Sequence, residues 1–257
     1  MCVKKLYIIT LLLFSNELFA KNCIAHRGDN ENFLENSKES IIGAMNLKAH
    51  GIEFDLQHTK DGIALVFHDK KLERTAMNRP GFNCPLKKKI KKITFNKIRQ
   101  NCILKNGEDI PSLDEILELT NHYDGHLFIE FKDMPSFETL DLIARTRSGR
   151  EDKTRFISFK RRYLKRAYKL RDKYPLYAEI KMLNINVFSP FAGRGLGLDV
   201  SYLGKHFLFW AKWWKKEVGI WTVDKLSVMK KLFKKKVPFI TTNRVTACME
   251  LSTNYDQ

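Results

Sequence analysis

"GIEFDLQHTKDGIALVFHD", residues 51–69, decides how this chain folds. Two extended runs meet at Asp61-Gly62, a dipeptide that favours a tight hairpin turn. A two-residue turn there pairs Lys60 with Ile63. Counting back sets His58 opposite Leu65, Leu56 opposite Phe67, and Asp55 opposite His68. Directly opposed residues share a face of a hairpin, as do residues two apart along one strand. The expected register therefore gathers Glu53, Asp55 and His68 on one side. A slip by one residue would turn His68 away.

Outward from this hairpin, short apolar runs alternate with helical patterns. The runs are Cys23–His26, Ile52–Leu56, Leu127–Phe131, Phe156–Phe159, Tyr177–Ile180, Leu198–Tyr202, Ile220–Val223 and Phe239–Thr242. Helical spacing covers Glu39–Ala49, Ser112–Thr120, Phe137–Arg145, Arg161–Arg171, Phe207–Lys216 and Lys225–Lys236. Ser112 followed three residues later by Glu115 is a capping-box signature. Strand and helix in alternation argue for a parallel sheet with helical cover. Eight runs in a chain of 257 residues fit a closed (β/α)8 TIM barrel, somewhat irregular because 184–197 shows no clear helix. There is no interdomain linker and no repeat.

The first twenty residues stand apart. Lys4 and Lys5 precede an apolar stretch, Leu6–Phe14, too short to span a bilayer, and "LFA" closes a plausible cleavage region. This is the plan of a signal peptide over 1–20, with the barrel domain over 21–257. The expected location is periplasmic or secreted. Cys2 would leave with the leader, and no lipid anchor is expected at Cys23. Export permits disulfides. Cys84 and Cys102 flank a short basic run and are expected to pair, leaving Cys23 and Cys248 free and buried.

The chain is 44% hydrophobic and 29% charged, which suits a globular protein with a real core and excludes a disordered one. Its net charge is +17, carried in runs at Lys87–Lys92, Arg161–Arg171, Lys212–Lys216 and Lys230–Lys236. Several are the wet sides of amphipathic helices. The excess also suits anionic substrates or an anionic membrane surface. Nucleic acid is not expected, because no motif that reads it is present.

Barrel enzymes collect reactive residues at the C-terminal ends of their strands. Those ends here carry His26 and Arg27, Glu53 and Asp55, His68, then Glu130 and Lys132. Three carboxylates meeting in one mouth repel one another unless a cation lies between them. A hard divalent ion with oxygen ligands, Ca2+ or Mg2+, answers that need. Two histidines suit a general acid and a general base. Arg27 and Lys132 suit an anionic oxygen. Together these groups describe metal-assisted attack on a phosphate ester. His50, His58, His122, His126 and His206 lack such company and read as surface or packing residues.

The ordered elements "AHRG", "ENS", "GIEFD", "TKDG", "FHD", "FIEFK" and "WTVD" resemble the glycerophosphodiester phosphodiesterase family, over residues 24–223. The resemblance implies a TIM barrel with a small insertion after the second strand, which residues 69–108 fit. It implies that Glu53, Asp55 and Glu130 hold the metal. It makes His26 and His68 the acid/base pair and puts Arg27 and Lys132 on the phosphate. It sets Trp221 in the substrate cleft. The implied substrate is a small glycerophosphodiester, cleaved to sn-glycerol 3-phosphate and an alcohol. The chain departs from the family pattern at Ser37 where threonine is usual, in having no proline before Glu35, at Asp224 where asparagine is usual, and at Thr242-Asn243-Arg244 where Thr-Asp with a nearby proline is usual. These departures lie outside the metal and proton-transfer set. Rival readings are a phospholipase D or sphingomyelinase-like enzyme acting on intact lipids, and a barrel that binds without turnover.

Overall fold

The eight parallel strands close into a ring, in a computed structural model that describes residues 22–174, 177, 181–184, 195–199 and 217–255. The leader, His206, the helix over Phe207–Lys216 with its aromatic residues, and the Lys212–Lys216 run lie outside the described residues.

Strand β1 (Asn22–His26) leads into helix α1 (Lys38–Asn46) and strand β2 (Gly51–His58). Three short strands follow, β3 (Ala64–Val66), β4 (Ala76–Asn78) and β5 (Cys102–Leu104), with α2 (Phe95–Asn101) before β5. Then come α3 (Leu113–Leu119), β6 (His126–Phe131), α4 (Phe137–Thr146), β7 (Thr154–Ser158) and α5 (Arg161–Tyr168). The rest comprises β8 (Lys181–Asn184), β9 (Gly195–Asp199), β10 (Glu217–Trp221), α6 (Leu226–Lys234), β11 (Phe239–Thr242) and α7 (Val245–Tyr255). Around the ring the order is β1-β2-β6-β7-β8-β9-β10-β11, and β11 returns to β1. The strand expected at Tyr177–Ile180 lies at Lys181–Asn184 instead. Tyr177 is helical and buried, stacks on Phe156, and gives its hydroxyl proton to the Leu140 carbonyl.

Alternation along the strands sorts the side chains. Ile52, Phe54, Leu56, Leu127, Ile129 and Phe131 face outward and pack against Ile41, Leu113, Ile116, Leu140 and Ile143 of the covering helices. Ile24, Phe128, Ile157 and Phe239 face inward and fill the barrel's middle. The capping box at α3 forms as the sequence implies, with Ser112 and Glu115 exchanging hydrogen bonds. Cys84 bonds to Cys102, as expected. Cys23 and Cys248 are not free: they are bonded to each other across 225 residues and tie β1 to α7. Both point outward into the same apolar cluster, so burial and pairing go together.

Residues 69–108 contain the β4–β5 ribbon and α2, packed around Leu72, Ala76, Ile90, Ile93, Ile98 and Leu104.

The hairpin register differs from expectation by one residue. Leu56 faces Val66 and His58 faces Ala64. The Thr59 amide bonds the Ile63 carbonyl, so the loop is the three residues 60–62, closed by Gly62 at φ +84°. A three-residue loop with glycine in the left-handed region is the next commonest hairpin after the two-residue turn. Asp61 cannot serve a tighter turn because its carboxylate accepts from Thr59 Oγ1 and from the Phe95 amide. The strand ends at Val66, but the Phe67 amide still bonds the Asp55 carbonyl and Gln57 Nε2 holds the His68 carbonyl, each at 2.9 Å, so His68 stays beside β2.

Candidate active site

Parallel pairing sets His26 beside Glu53 and Asp55 beside Glu130 at the C-terminal rim of β1, β2 and β6. β1 stops there because Arg27 and Gly28 both take left-handed backbone, at φ 58° and 81°. A Cβ on Gly28 would lie 2.6 Å from the Ser40 carbonyl carbon, so only glycine fits the turn. The turn aims the Arg27 amide at Glu53 Oε2, 3.0 Å away. Its guanidinium spans Asp55 Oδ2, 3.2 Å from Nε, and Glu35 Oε1, 3.0 Å from a terminal nitrogen.

Glu53, Asp55 and Glu130 are buried, and one oxygen from each lies within 4.8 Å of the others. Lys132 Nζ is 3.0 Å from Asp55 Oδ1 and 2.8 Å from Glu130 Oε1. Asn36 holds Asp55 twice, giving Nδ2 to Oδ2 and taking the Asp55 amide on Oδ1. The charges remain unequal. Burial and then Asp55 push Glu130 up to about 7, against the pull of Lys132. Burial, Asp55 and Glu130 hold Glu53 well above the ordinary carboxylate range. Burial acts on Asp55 too, but Lys132 and Arg27 outweigh it and keep its carboxyl low.

Glu53 Oε1, Asp55 Oδ1 and Glu130 Oε1 are buried and accept no well-formed hydrogen bond among the described residues. Three inward-facing carboxylate oxygens with spare lone pairs are the donor set of a hard divalent cation, so the residues fit Ca2+ or Mg2+.

Of the two histidines expected to transfer protons, His26 presents Nε2 to Glu53 Oε2 at 4.0 Å. Burial, then the Arg27 charge, lowers its pKa. His68 is half-buried, with Nδ1 2.7 Å from Asp69 Oδ1, and lies near enough to Asp55 and Glu35 to favour their ionised forms. Trp221 ends β10 at the rim rather than among the acids. Its ring meets Phe159 edge-on at 6.4 Å, and Phe159 in turn lies under Lys132 Nζ at 5.6 Å. His58 is a packing residue, bound to Asp133 and Thr139, and His122 is exposed.

A cavity of about 510 Å³ opens over the end of β1 and is lined by His26, Arg27, Glu35, Arg74 and Asn243 among others. It shows what sequence reasoning missed. Glu35 clamps Arg27 and takes two bonds from Arg74, at 2.8 and 2.6 Å. Asn243 touches His26 directly, with Oδ1 2.7 Å from Nδ1, and is itself held by Asp224. These two departures from the family pattern therefore meet each other beside His26. They lie outside the acid cluster but in contact with His26. The missed signal was their pairing: an asparagine and an aspartate had exchanged positions.

Known proteins bear on this barrel. A glycerophosphodiester phosphodiesterase from Caldanaerobacter subterraneus subsp. tengcongensis is 40% identical over 115 residues, 42% of this chain and 44% of that protein. The match thus spans less than half the length of that relative. A crystal structure of a glycerophosphodiester phosphodiesterase from Parabacteroides distasonis superposes with a TM-score of 0.75 at 24% identity, over 93% of this chain and 99% of that one. A phosphodiesterase from Oleispira antarctica, in complex with the product sn-glycerol-3-phosphate, does so at 0.72 and 23%, over 92% and 98%. These likenesses carry the fold. The sequence model of the Glycerophosphoryl diester phosphodiesterase family matches residues 26–247, from the histidine that ends the first strand into the last helix, and the chain belongs to that family.

Proposed function

We propose that the protein hydrolyses glycerophosphodiesters to sn-glycerol 3-phosphate and an alcohol. The observation that carries this is the buried Glu53–Asp55–Glu130 cluster, with its oxygens within 4.8 Å, set between His26, His68, Arg27 and Lys132. Held by the three carboxylates, Ca2+ or Mg2+ would supply Lewis-acid charge at the phosphate. Arg27 and Lys132 bind the phosphate oxygens. Of the two histidines, one takes the proton of the attacking hydroxyl and the other protonates the departing alkoxide. Trp221 with Phe159 forms an apolar wall of the cleft.

A coupled glycerol 3-phosphate assay on glycerophosphocholine and glycerophosphoglycerol, with and without EDTA, tests this reading. Full activity after thorough chelation would remove the metal from it. His26→Ala and His68→Ala should each lower turnover by roughly 10²–10⁴; activity in both would remove the acid/base pair.

Intact lipid is a second reading, favoured by the charge of residues 69–108. They hold twelve Lys and Arg against three Asp and Glu, a net +9 out of the chain's +17. Lys87, Lys88, Lys89, Lys91 and Lys92 are exposed, and Phe82 beside them is 53% exposed. Such a surface suits an anionic bilayer. Sedimentation with vesicles containing phosphatidylglycerol separates the readings: turnover of soluble diesters without vesicle binding leaves the small-molecule one. The leader pattern and the two disulfides support a periplasmic or secreted location, which N-terminal mass analysis of the exported protein would check.

A further inference from the structure

We infer that Asp224 and Asn243 form a positioning unit that locks His26 in one tautomer, with Nδ1 protonated and Nε2 open toward the carboxylates. The inference deepens the proposed hydrolysis and rests on it for its kinetic part only.

An asparagine side chain beside an imidazole is ambiguous, because its amide can turn either end to the ring. Here the surroundings remove the ambiguity. Asp224 Oδ2 lies 2.7 Å from Asn243 Nδ2, while Oδ1 takes the Asn243 backbone amide at 2.9 Å and the Thr242 hydroxyl at 3.1 Å. An ionised carboxylate only accepts, so the end of the amide that faces it must be the NH2. Asn30 adds a second constraint by donating Nδ2 to Asn243 Oδ1 at 2.7 Å. The Asn243 carbonyl oxygen is thereby turned to His26 Nδ1, also at 2.7 Å. An oxygen that only accepts requires a proton on Nδ1. The lone pair then sits on Nε2, the nitrogen that faces Glu53 across 4.0 Å.

The ring so held is a proton acceptor at the cluster. Nε2 takes the proton of the attacking hydroxyl, and Nδ1–H stays with Asn243. The oxygen–phosphorus bond that forms is matched by the bond that breaks to the leaving alkoxide, which takes its proton from His68. The hydrogen bond made by one ring nitrogen of a histidine commonly sets which nitrogen carries the proton. Asn243 and Asp224 act through His26, as positioning residues.

Three variants and one spectrum test the lock. In the native protein, long-range proton–nitrogen NMR should show a pyrrole-type Nδ1 and a pyridine-type Nε2 for His26, assigned by its loss in His26→Ala. In Asp224→Asn the amide can turn over, so the tautomers should mix and kcat should fall at least tenfold, with KM within about twofold. Asn243→Asp sets its carboxylate against that of Asp224 and should fall as far or further. The double exchange Asp224→Asn/Asn243→Asp restores one donor amide and one accepting oxygen beside Nδ1. It should recover the tautomer and return kcat to within a few-fold of native. A pyridine-type Nδ1 in the native protein overturns the inference whatever the variants do. So does Asp224→Asn with tautomer and kcat both unchanged, or a double exchange no better than the singles. The spectrum needs no substrate. Inactive native protein with a pyrrole-type Nδ1 would therefore count against the proposed reaction and leave the lock in place.

Discussion

The two ends of this barrel both bury charge, and they treat it in opposite ways. At the N-terminal end Arg155 is almost fully buried, yet it is fully served. Glu217 takes two of its hydrogen bonds, at 2.9 and 2.8 Å, and His126 Nδ1 and the Asp152 carbonyl meet the third nitrogen. Phe239 and Phe128 flank its guanidinium at 4.5 and 5.6 Å. At the C-terminal end three carboxylates crowd together with oxygens left over. One end is a closed network that supports the ring. The other keeps three acids close together, with Lys132 and Arg27 against them, and its acids fit a divalent cation. Conserving a fold and exposing chemistry are separate tasks in a barrel, and here they are divided along its axis.

The contrast can be broken from either end. Glu53→Gln should reduce turnover at least ~10³-fold, by analogy with the loss of other preorganised charge in active sites, when assayed at saturating metal. In EDTA at pH 7 the same variant should unfold at equal or higher denaturant. The sign follows from the raised pKa: an ionised Glu53 costs the folded state free energy above its unfolded pKa of 4.5, and glutamine removes that cost. A variant that loses both activity and stability would show that the acids hold the rim together.

At the other end, Arg155→Met removes the guanidinium that joins Glu217 to His126. Breaking a buried pair should cost about 3 kcal/mol in urea unfolding, with turnover per folded molecule unchanged. A loss of turnover at full folding would mean that the two ends are coupled.

Metal should report on the upper end alone. At one hundred times its Kd, Ca2+ or Mg2+ should raise the native protein's stability by about 2.7 kcal/mol. The Glu53→Gln variant should show much less, and Arg155→Met the full increment.

The smallest effect belongs to the helix between them. Burial would raise the Glu115 carboxyl, but the Ser112 amide, Arg99 and Lys38 draw it down to about 2. Its contribution is therefore complete above pH 4.5 and fades as pH falls from there toward 2. Glu115→Ala should cost about 1 kcal/mol at pH 7 and less at pH 3, measured by the shift in denaturant midpoint.

The upper end was the more legible in sequence, for a physical reason. Glu53, Asp55, Glu130 and Lys132 follow the two-residue alternation of strands whose other faces are apolar, so their common direction is a local property. His26 and Trp221 end such strands too. The Asp224–Asn243–His26 contact joins residues far apart in the chain through side-chain hydrogen bonds, and no periodicity announces it. The Cys23–Cys248 bond is hidden likewise, at a separation of 225 residues. The hairpin failed locally, because Thr59 and the distant Phe95 amide both draw on Asp61 and select the longer turn.

That long-range disulfide also changes how the ring would bear force. The seam between β1 and β11 is where the first strand meets the last, and a pull on the two ends of the chain would ordinarily tear it open there. With Cys23 bonded to Cys248 the load passes from one end of the chain to the other through a single covalent bond. The 224 residues between them, with the whole acidic mouth, lie outside the path of tension until that bond is reduced.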